Sequence, residues 1–285
     1  MVDVVARLSG PVAVGSDAPS SVSFGGGGSA ANVAAWLAFA GETPVLVGRV
    51  GADERGASAA AELGAAGVDA RLTVDGSLPT GTCIVLVAPG GERSMLPDPG
   101  ANVALAAADL PDDVLLAGGH LHVAGYALVR PGPRAAALAA ISRAVAGGMT
   151  VSVDPSSAAL LSPAFLELAD GAQLLLPNAE EARALTGERD ASSAARALAT
   201  RFPEVVVKLG AEGALWRNGS DEVRAPAAAA SPAAALDTTG AGDAFAAGLL
   251  AARMRGADAA EALAAGCEFA GKAIVTPGAR PRGSR

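Results

Sequence analysis

Short apolar runs alternate with alanine-rich helical segments along most of this chain, and few folds accommodate that alternation. Val45 to Val50, His120 to Ala124, Thr150 to Asp154, Gln173 to Leu176 and Val205 to Leu209 are brief and partly β-branched, as strands are. Ser29 to Ala40, Glu54 to Ala65, Pro133 to Ala146, Ala179 to Leu185 and Ala191 to Arg201 read as helices between them. Strands joined through helices pair in parallel and need cover on both faces. The pattern therefore predicts an α/β chain with a mostly parallel central sheet in a three-layer α/β/α arrangement. Ligands of such sheets sit outside the carboxyl ends of the strands.

Two stretches break the rhythm, residues 8–24 and 70–96. In the second, Thr82 to Ala88 and Glu92 to Leu96 read as strands around Pro89-Gly90-Gly91. Together they predict one small β-sheet standing off the body as a lid. Its free face or edge is expected to pair with another subunit in a homodimer.

At 285 residues the chain suffices for one large α/β domain, read here as spanning 1–285. Hydrophobic residues make up 51% but aromatics only 3%, so the core must be built from small side chains. A net charge of −8 argues against nucleic acid or an anionic membrane as partner. Cys83 and Cys267 fall in no metal or redox spacing, which suits a reducing compartment. Val114 to Val129 is poor in charge but contains Gly118, Gly119, His120 and His122, and so is no membrane span. No basic stretch precedes an apolar core near Met1, and a cytoplasmic enzyme is expected.

The chemistry is densest in Asp237-Thr238-Thr239-Gly240-Ala241-Gly242-Asp243, which opens an apolar helical run reaching Met254. A small-residue turn entering a helix presents several N–H groups at the positive end of the helix dipole, where an anion settles. Asp243 adds a carboxylate beside that spot. The pairing makes sense where a substrate hydroxyl loses its proton while attacking phosphorus, with the N–H groups of Gly240, Ala241 and Gly242 absorbing the growing charge.

This stretch resembles the carboxy-terminal signature of the ribokinase-like carbohydrate kinases, the phosphofructokinase B family. The resemblance implies a ribokinase-like fold and an ATP- and Mg²⁺-dependent kinase acting on a hydroxyl of a sugar or sugar-like small molecule. Asp243 would be its base. Further motifs follow the family's order. Gly27-Gly28…Asn32 resembles the amino-terminal sugar-binding motif, with Ser29 where ribokinases carry Lys, which puts ribose in doubt. Asp3 resembles the early aspartate that holds substrate hydroxyls. The family places an apolar strand ahead of this aspartate whereas the chain begins at Met1, implying either a start assigned internally or an absent sheet strand. Such a loss would bare ladder groups on both sides.

Asn178-Ala179-Glu180-Glu181 admits two readings. Asn178 as N-cap with Glu181 at N3 forms a capping box, and the family instead uses the pair to hold Mg²⁺ through its waters. The resemblance favours the second. It also places Lys208, Gly210 and Gly213 along the nucleotide, with Gly278 beside adenine. Asp237 would serve a monovalent cation, K⁺. Asp154-Pro155-Ser156-Ser157 lacks the arginine that some acid-sugar kinases carry nearby, pointing to a neutral acceptor.

Rival readings remain at this stage. Gly25-x-Gly27-x-x-Ala30 with Asp53 downstream satisfies a dinucleotide fingerprint, so an NAD-dependent dehydrogenase is one. A nucleoside kinase of the same family and a non-catalytic sugar-binding protein are others. Gly266 to Ala273 nearly matches a P-loop but lies within a helical period and lacks the metal-binding hydroxyl. His120 and His122 share a strand face without a third metal ligand, and are expected to be neutral and hydrogen-bonded.

Overall fold

The computed structural model describes residues 1–90, 93–115, 117–228 and 237–281. Strands β1 (Val2–Leu8) and β2 (Ser20–Gly26) open the chain as an antiparallel pair. Next come α1 (Ser29–Phe39), β3 (Val45–Gly51), α2 (Glu54–Ala65), β4 (Asp69–Asp75), β5 (Thr80–Val87) and β6 (Arg93–Gly100). The middle of the chain holds β7 (His120–Ala124), α3 (Tyr126–Val129), α4 (Pro131–Ala146), β8 (Thr150–Asp154), α5 (Phe165–Leu168) and β9 (Leu174–Leu175). It continues through α6 (Ala179–Thr186), α7 (Ala191–Leu198), β10 (Glu204–Lys208), β11 (Ala214–Asn218), β12 (Asp221–Ala225), α8 (Ala241–Met254) and α9 (Ala259–Ile274). The strands and helices expected between Ser29 and Leu209 are present, their ends moved by a few residues at most.

The main sheet runs β12-β11-β10-β9-β8-β7, parallel from β10 to β7 and closed by the antiparallel β11–β12 hairpin. Its strands are apolar on both sides because both faces are covered. Val205 and Val207 join Val151 and Val153 under α4 to α7, whereas Val206 joins Leu174 and Leu176 under α1, α8 and α9. This is the three-layer arrangement read from the alternation. A second piece of parallel sheet pairs β3 with β4, and α1 touches both β3 and β7. No described strand joins the two pieces.

The lid is a four-stranded sheet of order β2-β1-β5-β6. Its make-up corrects the expected boundaries. β1 already belongs to it from Val2, and residues 69–75 leave it to pair with β3. The second insertion therefore starts at Thr80 and runs to Gly100, while Gly91 and Glu92 of its turn lie outside the described residues. Alternation in β5 explains its sidedness: Cys83, Val85 and Val87 are buried toward the body, and Ile84 faces out.

Close packing of α8 on α9 depends on two glycines. A β-carbon at Gly266 would lie 2.8 Å from the Phe245 ring. One at Gly248 would lie 2.7 Å from the Ala265 carbonyl oxygen and 2.8 Å from the Phe269 ring. Gly266, part of the near-match to a P-loop, is thus a packing residue inside a helix. For Gly248→Ala, helix propensity favours alanine by about 1 kcal/mol. Overpacking against a fixed carbonyl costs about 1–3 kcal/mol and wins. Chemical denaturation should show a destabilised variant; equal or greater stability would contradict the close approach.

Candidate active site

Helix α8 organises the site from its first turn. Gly240 precedes it at φ 75°, and a β-carbon there would lie 2.6 Å from the Ala279 carbonyl oxygen, so only glycine fits. The N–H groups of Gly240 and Gly242 have no partner among the described residues, while that of Ala241 reaches the Thr238 carbonyl at 3.3 Å. Asp243 stands in the same turn. Its Oδ1 accepts from the Ser29 hydroxyl and its Oδ2 from Asn32 Nδ2, each at 2.8 Å. Burial raises its pKa to about 6, against the pull of the Asn32 and Ser29 hydrogen bonds. Such a group is ionised near neutrality yet basic enough to accept a proton.

Asp243 faces a cavity of about 420 Å³ whose walls include Asp3, Asn32, Tyr126, Asp154 and Lys208. Asp3 is buried at 8% exposure, and burial pushes its carboxyl above the ordinary range. Gly27 lies against it so tightly that a β-carbon would come within 2.0 Å of Asp3 Oδ1. Gly28 caps α1 at φ 94°. Asn32 differs from the expectation that its amide serves a sugar alone. It spends a donor on Asp243 and its oxygen on Arg280, whose Nε lies 3.2 Å away.

The carboxyl ends of β8 and β10 supply an ion pair, with Lys208 Nζ 2.5 Å from Asp154 Oδ2. Burial opposes the charge on Lys208, but Asp154 and Glu181 hold it protonated. Lys208 is therefore an interior cation rather than a solubilising strand end. Ser156, beside this pair on the cavity wall, sits at φ 76°, backbone strain of the kind that gathers at functional sites.

Asn178 and Glu181 form the capping box in full, each backbone N–H donating to the other's side chain at 2.8 Å. Glu181 is nevertheless a cavity residue at 3% exposure, its pKa raised to about 7 chiefly by burial. The capping bond uses Oε2 and leaves Oε1 without a described hydrogen bond. The capping reading is realised in full, and one carboxyl oxygen of Glu181 is left over.

Other expected residues lie outside the cavity. Gly210 is exposed at φ 60°, and Gly213 makes room for the Ala225 carbonyl, 2.0 Å from where a β-carbon would stand. Gly278 donates its N–H to Asp237 at 3.2 Å. Asp237, expected at a monovalent-cation site, is met by two arginines of the small sheet. Its Oδ2 accepts from Arg7 at 3.0 Å and its Oδ1 from Arg93 at 3.4 Å, with the Thr239 and Gly278 N–H groups completing four bonds. Two carboxylate oxygens offer about four acceptor positions, and these four donors occupy them. Arg93 also donates to Thr239 at 2.5 Å and to Thr238. The sequence carried no signal for Arg7, Arg93 or Arg280, since arginines in strands and tails are usually solvated.

The dinucleotide reading fails on context. Gly25 lies within a lid strand paired antiparallel and Gly27 just past its end, and Asp53 caps α2 while binding Thr80 through both oxygens, leaving nothing for a ribose. His120 and His122 share the Ser152 hydroxyl at 2.7 and 2.8 Å, and burial drives their pKa values down to about 3 and about 4. They are neutral, and no group of three metal-binding side chains occurs among the described residues. No described helix is long and apolar enough to cross a membrane.

Solved structures with this architecture include kinases. An adenosine kinase from Sinorhizobium meliloti superposes with a TM-score of 0.88 at 28% identity, covering 99% of this chain and 93% of that one. The class is the ribokinase-fold small-molecule kinase. The chain belongs to the pfkB family of carbohydrate kinases, whose family model matches residues 1–283. It is 30% identical over 250 residues to an uncharacterized sugar kinase of Archaeoglobus fulgidus, covering 86% of this chain and 96% of that protein. It is 33% identical over 247 residues to an ATP-dependent ribose-1-phosphate kinase of Halopiger xanaduensis, at 84% and 76% coverage. Membership sets aside both the dehydrogenase and the non-catalytic binding protein.

The raised pKa of Glu181 has a consequence for stability. With a folded pKa near 7 and an unfolded value of about 4.3, the native state keeps a proton that the unfolded chain releases. Stability from this group is therefore full at low pH and lost as pH rises through the folded value. Glu181→Gln keeps the capping box and removes the titration. Relative to the parent it should gain about 1–3 kcal/mol at pH 8 and nothing near pH 4, read from melting curves across pH. A gain that does not vary with pH would contradict the assignment.

Proposed function

We propose that the chain transfers the γ-phosphoryl group of ATP to a hydroxyl of a neutral sugar or sugar-bearing acceptor, with Asp243 as general base. The single observation that carries this is the Asp243 carboxyl facing the cavity, held by Ser29 and Asn32, in the same helical turn as the N–H groups of Gly240 and Gly242, which have no partner among the described residues. Asp3, Gly27 and Gly28 form the floor on which the acceptor's hydroxyls rest, and Ser29 and Asn32 hold Asp243 in place. Asp243 takes the acceptor proton as its oxygen attacks, and the backbone N–H groups meet charge developing on the transferred group. Lys208, close behind Gly242, adds a cation on the same side. Glu181 Oε1 and Asn178 are hard oxygen donors suited to hold Mg²⁺ through water, and the ion when bound neutralises phosphate charge.

The lid excludes water, which would otherwise compete with the acceptor. Its outer face supports a homodimer. Phe24, Val4, Ile84 and Leu96 are register neighbours across all four strands, and Phe24, Ile84 and Leu96 are exposed by 73%, 45% and 53%. An apolar row of that kind suits an isologous contact with a second copy.

Asp243→Asn should fold and lose on the order of a hundredfold or more in kcat, measured by ADP release with D-fructose, D-ribose, sugar acids and adenosine as acceptors. Near-full turnover would remove Asp243 from its role, and the acceptor preferred by the parent names the substrate. In light scattering after gel filtration, the parent chain should run as a dimer and Phe24→Glu with Leu96→Glu as a monomer. A monomeric parent would end the lid proposal.

A further inference from the structure

We infer that Arg280 is a positioning residue that fixes the orientation of Asn32 and thereby the donor that Asn32 presents to Asp243. The inference rests on the kinase reading only for its catalytic meaning; its geometric content stands without it. Arg280 is an interior arginine, 8% exposed, on the segment that follows α9. Each arm of its guanidinium has a separate acceptor. Nε donates to Asn32 Oδ1 at 3.2 Å, Nη2 to the Gly27 carbonyl at 3.0 Å and Nη1 to Glu62 Oε1 at 2.9 Å. The group packs closely against Gly26, where a β-carbon would come within 2.1 Å of Nη1.

A carboxamide has a donor end and an acceptor end of nearly the same shape, so its orientation is decided by its neighbours. Asn32 has Asp243 on one side, an acceptor when ionised, and Arg280 on the other, a donor only. With Arg280 in place just one orientation satisfies both. Without it the amide can turn over and set its oxygen against the carboxylate. That contact disfavours the ionised form of Asp243 and favours the protonated one, which is useless as a base. The same guanidinium holds the Gly27 carbonyl, so Asn32 and the acceptor floor are fastened by one group. Nearby, Trp36 Nε1 binds the Ala279 carbonyl at 3.0 Å and Gly278 binds Asp237, so the segment carrying Arg280 is tied down at each residue.

The test is a mutant cycle read on Asp243 itself. Carbon-13 NMR of the aspartate side-chain carboxyls follows its titration in the full chain, with Asp243→Asn assigning the signal. Arg280→Gln and Asn32→Ala should each raise the apparent pKa of Asp243 by about half a unit or more. The double variant should match Asn32→Ala alone, because Arg280 acts through Asn32. Additive shifts would mean that Arg280 acts by its own charge, and an unmoved titration in folded Arg280→Gln would mean it does not act at all; either overturns the inference. Should Arg280→Gln not fold, Arg280→Met, which has no donor to offer Asn32, enters the same cycle, read by the same criteria. Turnover of the parent with ATP and the acceptor panel is scored separately. Its absence, with the cycle behaving as stated, would overturn the kinase mechanism and leave the positioning role standing.

Discussion

The contact between α1 and α8 at Asp243 is what the site is built on. Ser29 and Asn32 come from the first turn of α1, and Asp243 from the first turn of α8, so two helix starts more than two hundred residues apart meet at one carboxylate. That meeting requires α1 and α8 to share the face of the sheet built on Val206, Leu174 and Leu176. It also requires glycines where the backbones crowd, at 27, 28 and 240. An acid packed this deeply would ordinarily stay protonated. The two donors pull its pKa back toward the range in which a base can work, so the packing that creates the cavity also tunes the group inside it.

Much of the fold was legible because both faces of the central sheet are buried. Runs such as Val205 to Leu209 have no polar side to show, and the helices between them are long and alanine-rich. The lid was located less well because its strands continue from elements of the body. β1 carries Asp3 at its start and Arg7 toward its end, so one strand serves the cavity wall and the small sheet together. Residues 69–75 look like lid by composition, yet their register with β3 places them in the parallel sheet.

The candidate site was legible where a backbone feature announces it, as at Gly240 to Asp243 and at Asn178 to Glu181. It was illegible where the function of a residue depends on distant partners. Asp237 illustrates this: nothing local reveals that two arginines, 230 and 144 residues away, saturate it. Asp154 and Lys208 are likewise ordinary strand-end residues until the sheet sets them side by side. Arg280 lies near a tail whose sequence has no periodicity, and only the fold shows that its guanidinium is interior.

The clasp of Arg7 and Arg93 on Asp237 has a mechanical corollary. Both arginines belong to the lid sheet, and their anchor is three residues ahead of the turn that presents the backbone amides. Lifting that sheet must either break the ion pairs or drag the turn along with it. Movement of the small sheet over the cavity and the geometry of the amides at Gly240 to Gly242 are therefore mechanically coupled, and neither can shift without straining the other.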